Sequence, residues 1–349
     1  MQKILSGYRV LELSTVLAGP LVGSFLSEMG ADVVKVEPPG GDVTRGWKLP
    51  SEKLDAVSAY YCAANVGKRV VELNLKSTEG REQLIELVQS SDIVISNYLP
   101  KVAEKLETSY NHLKAIKAEV IMCELQGFVA DSKRAAYDAV MQAETGWMSM
   151  NGSAQSGPLK MPVALMDLFA AHHMKQAILL AIIKQLKSGE GSHIQCTLEA
   201  SSVSNLANQS TNYLMADWVP GLKGSLHPNI APYGELLHCS DGKRIMLAVG
   251  TDSQFFELCD MLGLDEAKKD ARFGDNQSRV RNRKTLHLLL QKAASERDSL
   301  DLDSALQSYR IPAGVVRSID EVLDREQLQQ LIVEDENGRR ITTVPFTIK

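Results

Sequence analysis

The first half of the chain alternates short β-branched runs with amphipathic segments, and no other feature of the sequence restricts the fold as much. YRVLELS (8–14) and ADVVKVE (31–37) read as buried strands, and GPLVGSFLSEMG between them opens on Gly-Pro and closes at Gly30, as a short helix does. The unit repeats: RVVELNL (69–75), then STEGREQLIELVQSS, then DIVISNY (92–98), with EVIMCEL (119–125) after a further amphipathic stretch. Strands separated by helices of this length need right-handed crossovers, so the pattern predicts a mostly parallel sheet covered on both faces. In such sheets ligands bind where loops leave the carboxyl ends of the strands. The segments after Ser14, Glu37, Tyr98 and Leu125 are therefore where a site is expected.

At 349 residues, 44% of them hydrophobic, the chain can form one large domain and a smaller one. Its 38 basic and 43 acidic residues give a net charge of -5, and its basic runs are short, such as Lys68-Arg69 and 279–284. That balance argues against nucleic acid or an anionic membrane surface as the main partner. The longest wholly apolar stretch, 177–183, falls far short of a bilayer span. The N-terminus runs directly into a strand pattern without the features of a signal peptide. Five scattered cysteines with no CxxC pair suggest free thiols, and a cytoplasmic location is expected. No cluster of His, Cys and acidic residues has metal-ligand spacing, so no metal is expected. His172 and His173 are adjacent, about 100° apart on a helix and badly placed to share one ion. Neither internal repeats nor low-complexity tracts are present.

One acidic residue stands out. In MPVALMDLFAAHHMKQAILLAII (161–183), Asp167 lies between an apolar strand-like run and a helix with apolar residues at Leu168, Ala171, Ile178, Ile182 and Leu186, broken by Gly189 and Gly191. At or next to an N-cap, such a carboxylate satisfies a backbone N–H and contributes about 1 kcal/mol. The same position holds a carboxylate ionised and oriented where a ligand would lie, and a carboxylate so placed can act as a covalent nucleophile. Local pattern alone leaves both roles open.

Several separated stretches carry a resemblance. GYRVLELSTVLAGPLVGSFLSEMGADVVKVEPPGGDVTRGW near the start, GKRVVELNLKSTEGREQL, DIVISNYLP, YDAVMQAETGWMSMNG and SGEGSHIQCTLEASSVSNL occur in order, followed by HPNIAPYGELLHCSDGKRIMLAVG and YRIPAGVVRSIDEVLDREQLQ. In that order they resemble the class III CoA-transferases, the CaiB/BaiF group that includes formyl-CoA transferase and 2-methylacyl-CoA racemases. The resemblance implies that Asp167 attacks an acyl-CoA thioester, giving a mixed anhydride and then an aspartyl-CoA thioester, which an acceptor carboxylate resolves. It implies coenzyme A as a carrier substrate, with no tightly bound cofactor. The racemases' histidine aligns with Tyr137, a poor base near neutral pH, so racemisation by that pair is disfavoured. Tyr137 and Asp138 are assigned as site-lining groups, with a buried tyrosine and a helix-start aspartate as the plain alternative.

By the same resemblance the pantetheine arm runs over Val16 and Ala18, with Gly19 allowing close approach. Asn97 and Tyr98 are candidates for the nucleotide end, and Lys101 and Lys105 for its phosphates, unless those lysines are only a solvated helix face. Three features differ from formyl-CoA transferase: Leu17 stands where that enzyme has a site glutamine, Pro38 replaces a basic residue, and around 225–255 its glycine-rich loop is missing. The site that remains is more apolar, so a larger acyl group is expected. The expected fold is α/β, with a Rossmann-like large domain over 1–205 rejoined by about 320–349 and a smaller α+β domain over 225–310. Linkers fall at about 206–224 and 311–319, and two subunits interlock as a homodimer. Within the small domain GELLHCSDGKRIMLAVG reads as two strands around Ser240-Asp241-Gly242, with helices over 252–262 and 281–294.

Three alternatives remain at this stage. One is a racemase, isomerase or carnitine-dehydratase-like enzyme using Asp167 as acid or base, and another is a non-catalytic CoA-binding homologue. The third, a nicotinamide oxidoreductase, is disfavoured because the first βα turn, STVLAGPLVG, lacks GxGxxG.

Overall fold

A computed structural model describes residues 3–130 and 134–348. The chain divides into two compact units, one comprising residues up to 148, 160–219 and 326 onward, the other 149–159 and 220–325.

The first unit is built on six strands, β1 (Arg9–Leu13), β2 (Asp32–Glu37), β3 (Arg69–Glu72), β4 (Ile93–Ser96), β5 (Ile121–Gln126) and β6 (Ser192–Thr197), in the order β3-β2-β1-β4-β5-β6. All five pairings are parallel, as the alternation predicts. Around it lie helices α1 (Ala18–Glu28), α2 (Ala59–Asn65), α3 (Thr78–Ser90), α4 (Pro100–Lys105), α5 (Tyr110–Ile116), α6 (Asp138–Glu144), α7 (Leu165–Ser188), α8 (Leu198–Ser204) and α9 (Ala207–Ala216), and the returning chain adds an antiparallel hairpin, Ile332–Asp335 with Gly338–Ile341. Alternate strand residues feed two cores. Val10, Ile93, Ile95, Ile121 and Cys123 pack with Val22 and Phe25 of α1 and Met166, Met174 and Ile178 of α7. Leu11, Leu13, Val94 and Met122 pack on the other face with Leu84 and Val88 of α3 and Leu113 of α5. Each such fully buried aliphatic side chain contributes about 1.5–3 kcal/mol.

Strand order reverses between β1 and β4, because the chain adds strands outward on one side of β1 and then returns to the other. The loops leaving these two strands diverge there and open a crevice. Beside it, Glu12 on β1 faces α1 instead of an apolar partner. Its carboxylate takes Lys35 Nζ at 3.1 Å and Lys68 Nζ at 2.7 Å, and Lys35 also meets Asp42 at 3.1 Å, with every side chain fully buried. Lys35 further donates to the Ser14 carbonyl at 2.7 Å, which ties the end of β1 to the segment after β2.

The second unit has its own core around a three-stranded antiparallel sheet, β7 (Tyr233–His238), β8 (Arg244–Ala248) and β9 (Ala313–Val315), in the order β9-β8-β7. Helix α10 (Asp252–Leu262) starts in a capping box between Thr251 and Gln254 and stops at Gly263 with φ 67°, matching the sequence expectation. With α11 (Arg283–Ser295) and α12 (Ser299–Ser308) it buries Phe255, Leu258, Leu290 and Leu306 against Ile245 and Leu247.

Candidate active site

The crevice at the reversal point is a cleft of about 210 Å³ within the first unit. It is lined from the β1 loop by Thr15–Ala18, from the β4 loop by Asn97–Leu99, from β5 onward by Leu125–Gly127 and 134–137, and by Asp167 and Leu198. Seven sequence-predicted residues thus meet in one place: Val16, Leu17, Ala18, Asn97, Tyr98, Tyr137 and Asp167. Four do not. Lys101 and Lys105 lie on the exposed face of α4, outside the lining. Gly19 is buried in α1, where an added Cβ would come within 2.5 Å of the Ser14 side chain, so its close approach is to strand β1 and not to the cleft. Asp138 is buried behind the wall.

Asp138 answers the question of who caps α7. The helix begins after Ala164, whose side chain cannot cap, and Asp167 is its third residue. The first-turn N–H of Met166 donates instead to Asp138 Oδ1 at 2.8 Å, across 28 residues. Asp138 Oδ2 accepts from Gln142 Nε2 at 2.6 Å, and Gln142 Oε1 accepts from the Met161 N–H at 2.8 Å. Two residues of α6 therefore clamp the approach to α7 and its first turn. The cap expected of Asp167 is carried by Asp138, one reason Asp167 is left available.

Among the described residues the half-buried Asp167 carboxylate accepts no hydrogen bond and forms no ion pair. A position in the first turn of a long helix favours its charged form. Burial opposes this and wins, with the nearby charge of Asp138 adding to it, and together they push the carboxyl up to about 7. Near neutral pH the group is then part ionised, aimed into a cleft and without a competing partner. Those are the conditions for a carboxylate to act as nucleophile or as acid and base.

The loop opposite is held in an unusual shape. Val16 has φ 70°, a left-handed conformation that is costly for a β-branched residue. The Asn97 side chain brackets it. The Thr15 N–H donates to Asn97 Oδ1 at 3.1 Å, and Asn97 Nδ2 donates to the Thr15 carbonyl at 2.9 Å. The Asn97 amide proposed from sequence for the nucleotide end is thus engaged in fixing the β1 loop. That loop leads into α1, whose N-cap residue Leu17 offers no side-chain cap; of the first turn, Ala18 lines the cleft, Gly19 does not, and Pro20 has no N–H. Tyr98 is half-buried, with burial pushing its hydroxyl up to about 12.

Sequence reading missed Gln142, Tyr60 and Arg134. Tyr60 on α2 forms an edge contact with Trp47 at 5.1 Å. Burial raises its hydroxyl, followed by the negative charges of Asp167 and Asp138, so it lies within electrostatic reach of both. Nothing in AYYCAAN distinguishes it locally. Arg134 lines the cleft with its guanidinium 4.1 Å above the Phe128 ring. His172 is exposed and His173 half-buried, and neither lines the cleft.

Comparison with known proteins identifies the family. A sequence model of CoA-transferase family III matches residues 5–347. The chain is 38% identical to a succinate–glutarate CoA-transferase of Agrobacterium fabrum, over 98% of this chain and 87% of the relative. It is 31% identical to the human succinyl-CoA:glutarate CoA-transferase, over 93% and 74%. In three dimensions it resembles the crystal structure of a CaiB/BaiF family protein from Brucella suis, with a TM-score of 0.87 and 35% identity, covering 100% of this chain and 93% of that one. A match that runs from the first strand to the last residues, joined by sequence and fold likeness over the same span, leaves one conclusion: the chain belongs to CoA-transferase family III, the CaiB/BaiF group, and is a CoA-transferase.

Proposed function

We propose that the enzyme moves CoA between two dicarboxylic acids through covalent intermediates on Asp167. The observation carrying this reading is a carboxylate with no partner, poised near neutral pH in the cleft at the strand-order reversal. An Asp167 oxygen attacks the thioester carbonyl, the C–S bond breaks, and CoA departs as thiolate, leaving an acyl-aspartyl anhydride. The thiolate attacks the Asp167 carbonyl carbon and displaces the donor acid, leaving aspartyl-CoA thioester. An acceptor carboxylate attacks that thioester, expels the thiolate and forms a second anhydride. The thiolate then takes the acceptor's acyl carbon and frees Asp167. Each step develops an oxyanion, and the Ala18 N–H at the start of α1 is a nearby donor suited to it.

The cleft is smaller than the 300–1,000 Å³ usual for whole ligands, so it suits the reacting end of an acyl-CoA, with the carrier extending outward. Val16, Leu17 and Ala18 would flank the pantetheine arm. A second hollow, lined by Pro38, Pro39, Leu73 and Leu75, shares Tyr98 with the cleft and would take the nucleotide end. Tyr137, 57% exposed at the cleft wall, would meet the acyl or acceptor group. Dicarboxylic substrates fit the relatives named for succinate and glutarate. We also propose that two copies interlock as a homodimer. Helix α9 buries no residue and exposes Leu214 and Met215, and α7 exposes Leu180 and Leu186, apolar area that a second copy would cover. No helix among the described residues is long and apolar enough to cross a membrane, and a cytoplasmic location fits this reading.

The test is CoA exchange between succinyl-CoA and glutarate. Wild-type protein is expected to form glutaryl-CoA, and Asp167→Ala to lose roughly 10³-fold or more in kcat. Full activity in the variant would remove Asp167 from the chemistry.

A further inference from the structure

We propose that Arg134 selects dicarboxylic over monocarboxylic substrates by binding the carboxylate remote from the reacting end, exchanging Glu144 for it. The inference rests on Asp167 transferring CoA between carboxylic acids. Among the described residues lining the cleft, Asp167 is the anionic side chain and Arg134 the cationic one. A substrate whose reacting end meets Asp167 brings its second carboxylate into the space that Arg134 also lines. An uncharged wall would leave that carboxylate to be desolvated without compensation.

Arg134 is prepared for such a ligand. Its guanidinium carbon stands over the Phe128 ring, 4.1 Å from the centroid, a cation–π contact that holds the group at the cleft wall. Both terminal nitrogens face Glu144, with Nη1 donating to Oε2 at 2.8 Å and Nη2 to Oε1. The Glu144 carboxyl is held below its ordinary range mainly by this hydrogen bonding. Glu144 thus occupies the guanidinium in the end-on, two-bond geometry that a substrate carboxylate would adopt. Both partners are more than two-fifths exposed, and an ion pair so open to water binds weakly. A substrate carboxylate held at its other end inside the cleft arrives at high effective concentration and can displace it.

The experiment compares succinate with butyrate, four-carbon acids differing in the remote group, as CoA acceptors with one donor thioester. For Arg134→Gln we expect kcat/KM for succinate to fall about 10–100-fold, mainly in KM, as for loss of a hydrogen-bonded charge partner. The value for butyrate should move less than about threefold. Glu144→Gln, which removes the charge of this partner, should keep or raise the preference for succinate. Equal loss for both acids in Arg134→Gln would overturn the proposal and assign Arg134 to the CoA carrier common to both reactions. A loss of preference in Glu144→Gln as large as in Arg134→Gln would overturn the exchange. If the wild-type enzyme transfers CoA to neither acid, the reading of short dicarboxylic acids as substrates fails and this selection by Arg134 with it, a result separable from equal loss for both acids in Arg134→Gln.

Discussion

Two groups of charges lie at the carboxyl end of the same sheet and are treated in opposite ways. Beside α1, Glu12, Lys35, Lys68 and Asp42 are fully buried and every charge has an opposite within 3.1 Å. A few strands along, Asp167 is half-buried, close to the like charge of Asp138, and has no partner among the described residues. The first arrangement spends its charges on holding loops in place. The second keeps a carboxylate unpaired at a cost in stability, as the proposed role of Asp167 in the chemistry requires. The comparison also separates two aspartates near the start of α7: Asp138, reaching across from α6, has both oxygens bonded and acts as a clamp, whereas Asp167, in the first turn of α7, has neither among the described residues.

The contrast can be broken most forcefully on the paired side. Glu12→Gln strands Lys35 and Lys68 without their shared carboxylate, Lys68 being already pushed down to about 8 by burial. Loss of one member of a buried charge network costs about 3–5 kcal/mol, and chemical denaturation should show a destabilisation of that size. A change of a few tenths of a kcal/mol would mean that the network is not what holds the β1 and β2 loops.

The unpaired side predicts a smaller effect of opposite sign. The folded Asp167 carboxyl titrates near 7, above its ordinary 3.8, so the folded state binds more protons than the unfolded one between these values. Its contribution to stability is fully present below pH 3.8 and is lost as pH rises through 7. Asp167→Asn removes that loss. With the shift discounted for partial exposure, the variant should be more stable than wild type by about 2 kcal/mol at pH 8. The gain should vanish towards pH 4, as read by denaturation at both values. A variant less stable than wild type at pH 8 would mean that Asp167 is a structural carboxylate after all.

Much of the fold was legible because it is periodic. The strands over 9–13, 32–37 and 93–96 and the α10 boundaries follow from local apolar patterns and a glycine stop. Order within the sheet was not, since βαβ units do not reveal on which side of β1 the chain returns. The site divided in the same way. Residues at strand exits, Val16 to Ala18 and Asn97 to Tyr98, were placed by the parallel-sheet argument together with the family resemblance. Roles that depend on contacts across sequence were not. Asn97 holds Thr15 across 82 residues and Asp138 caps Met166 across 28, and neither pairing leaves a local pattern. Asp167 at a helix start reads as a cap until another residue is seen to do the capping.

The measurement that reaches the central claim most directly is to incubate the enzyme with an acyl-CoA, intercept with hydroxylamine or borohydride, and map the product by peptide mass spectrometry. The account predicts a modified Asp167, hydroxamate or reduced alcohol, that depends on acyl-CoA and is absent from Asp167→Ala. Turnover with Asp167 unmodified under both reagents would contradict it and return that carboxylate to acid–base work.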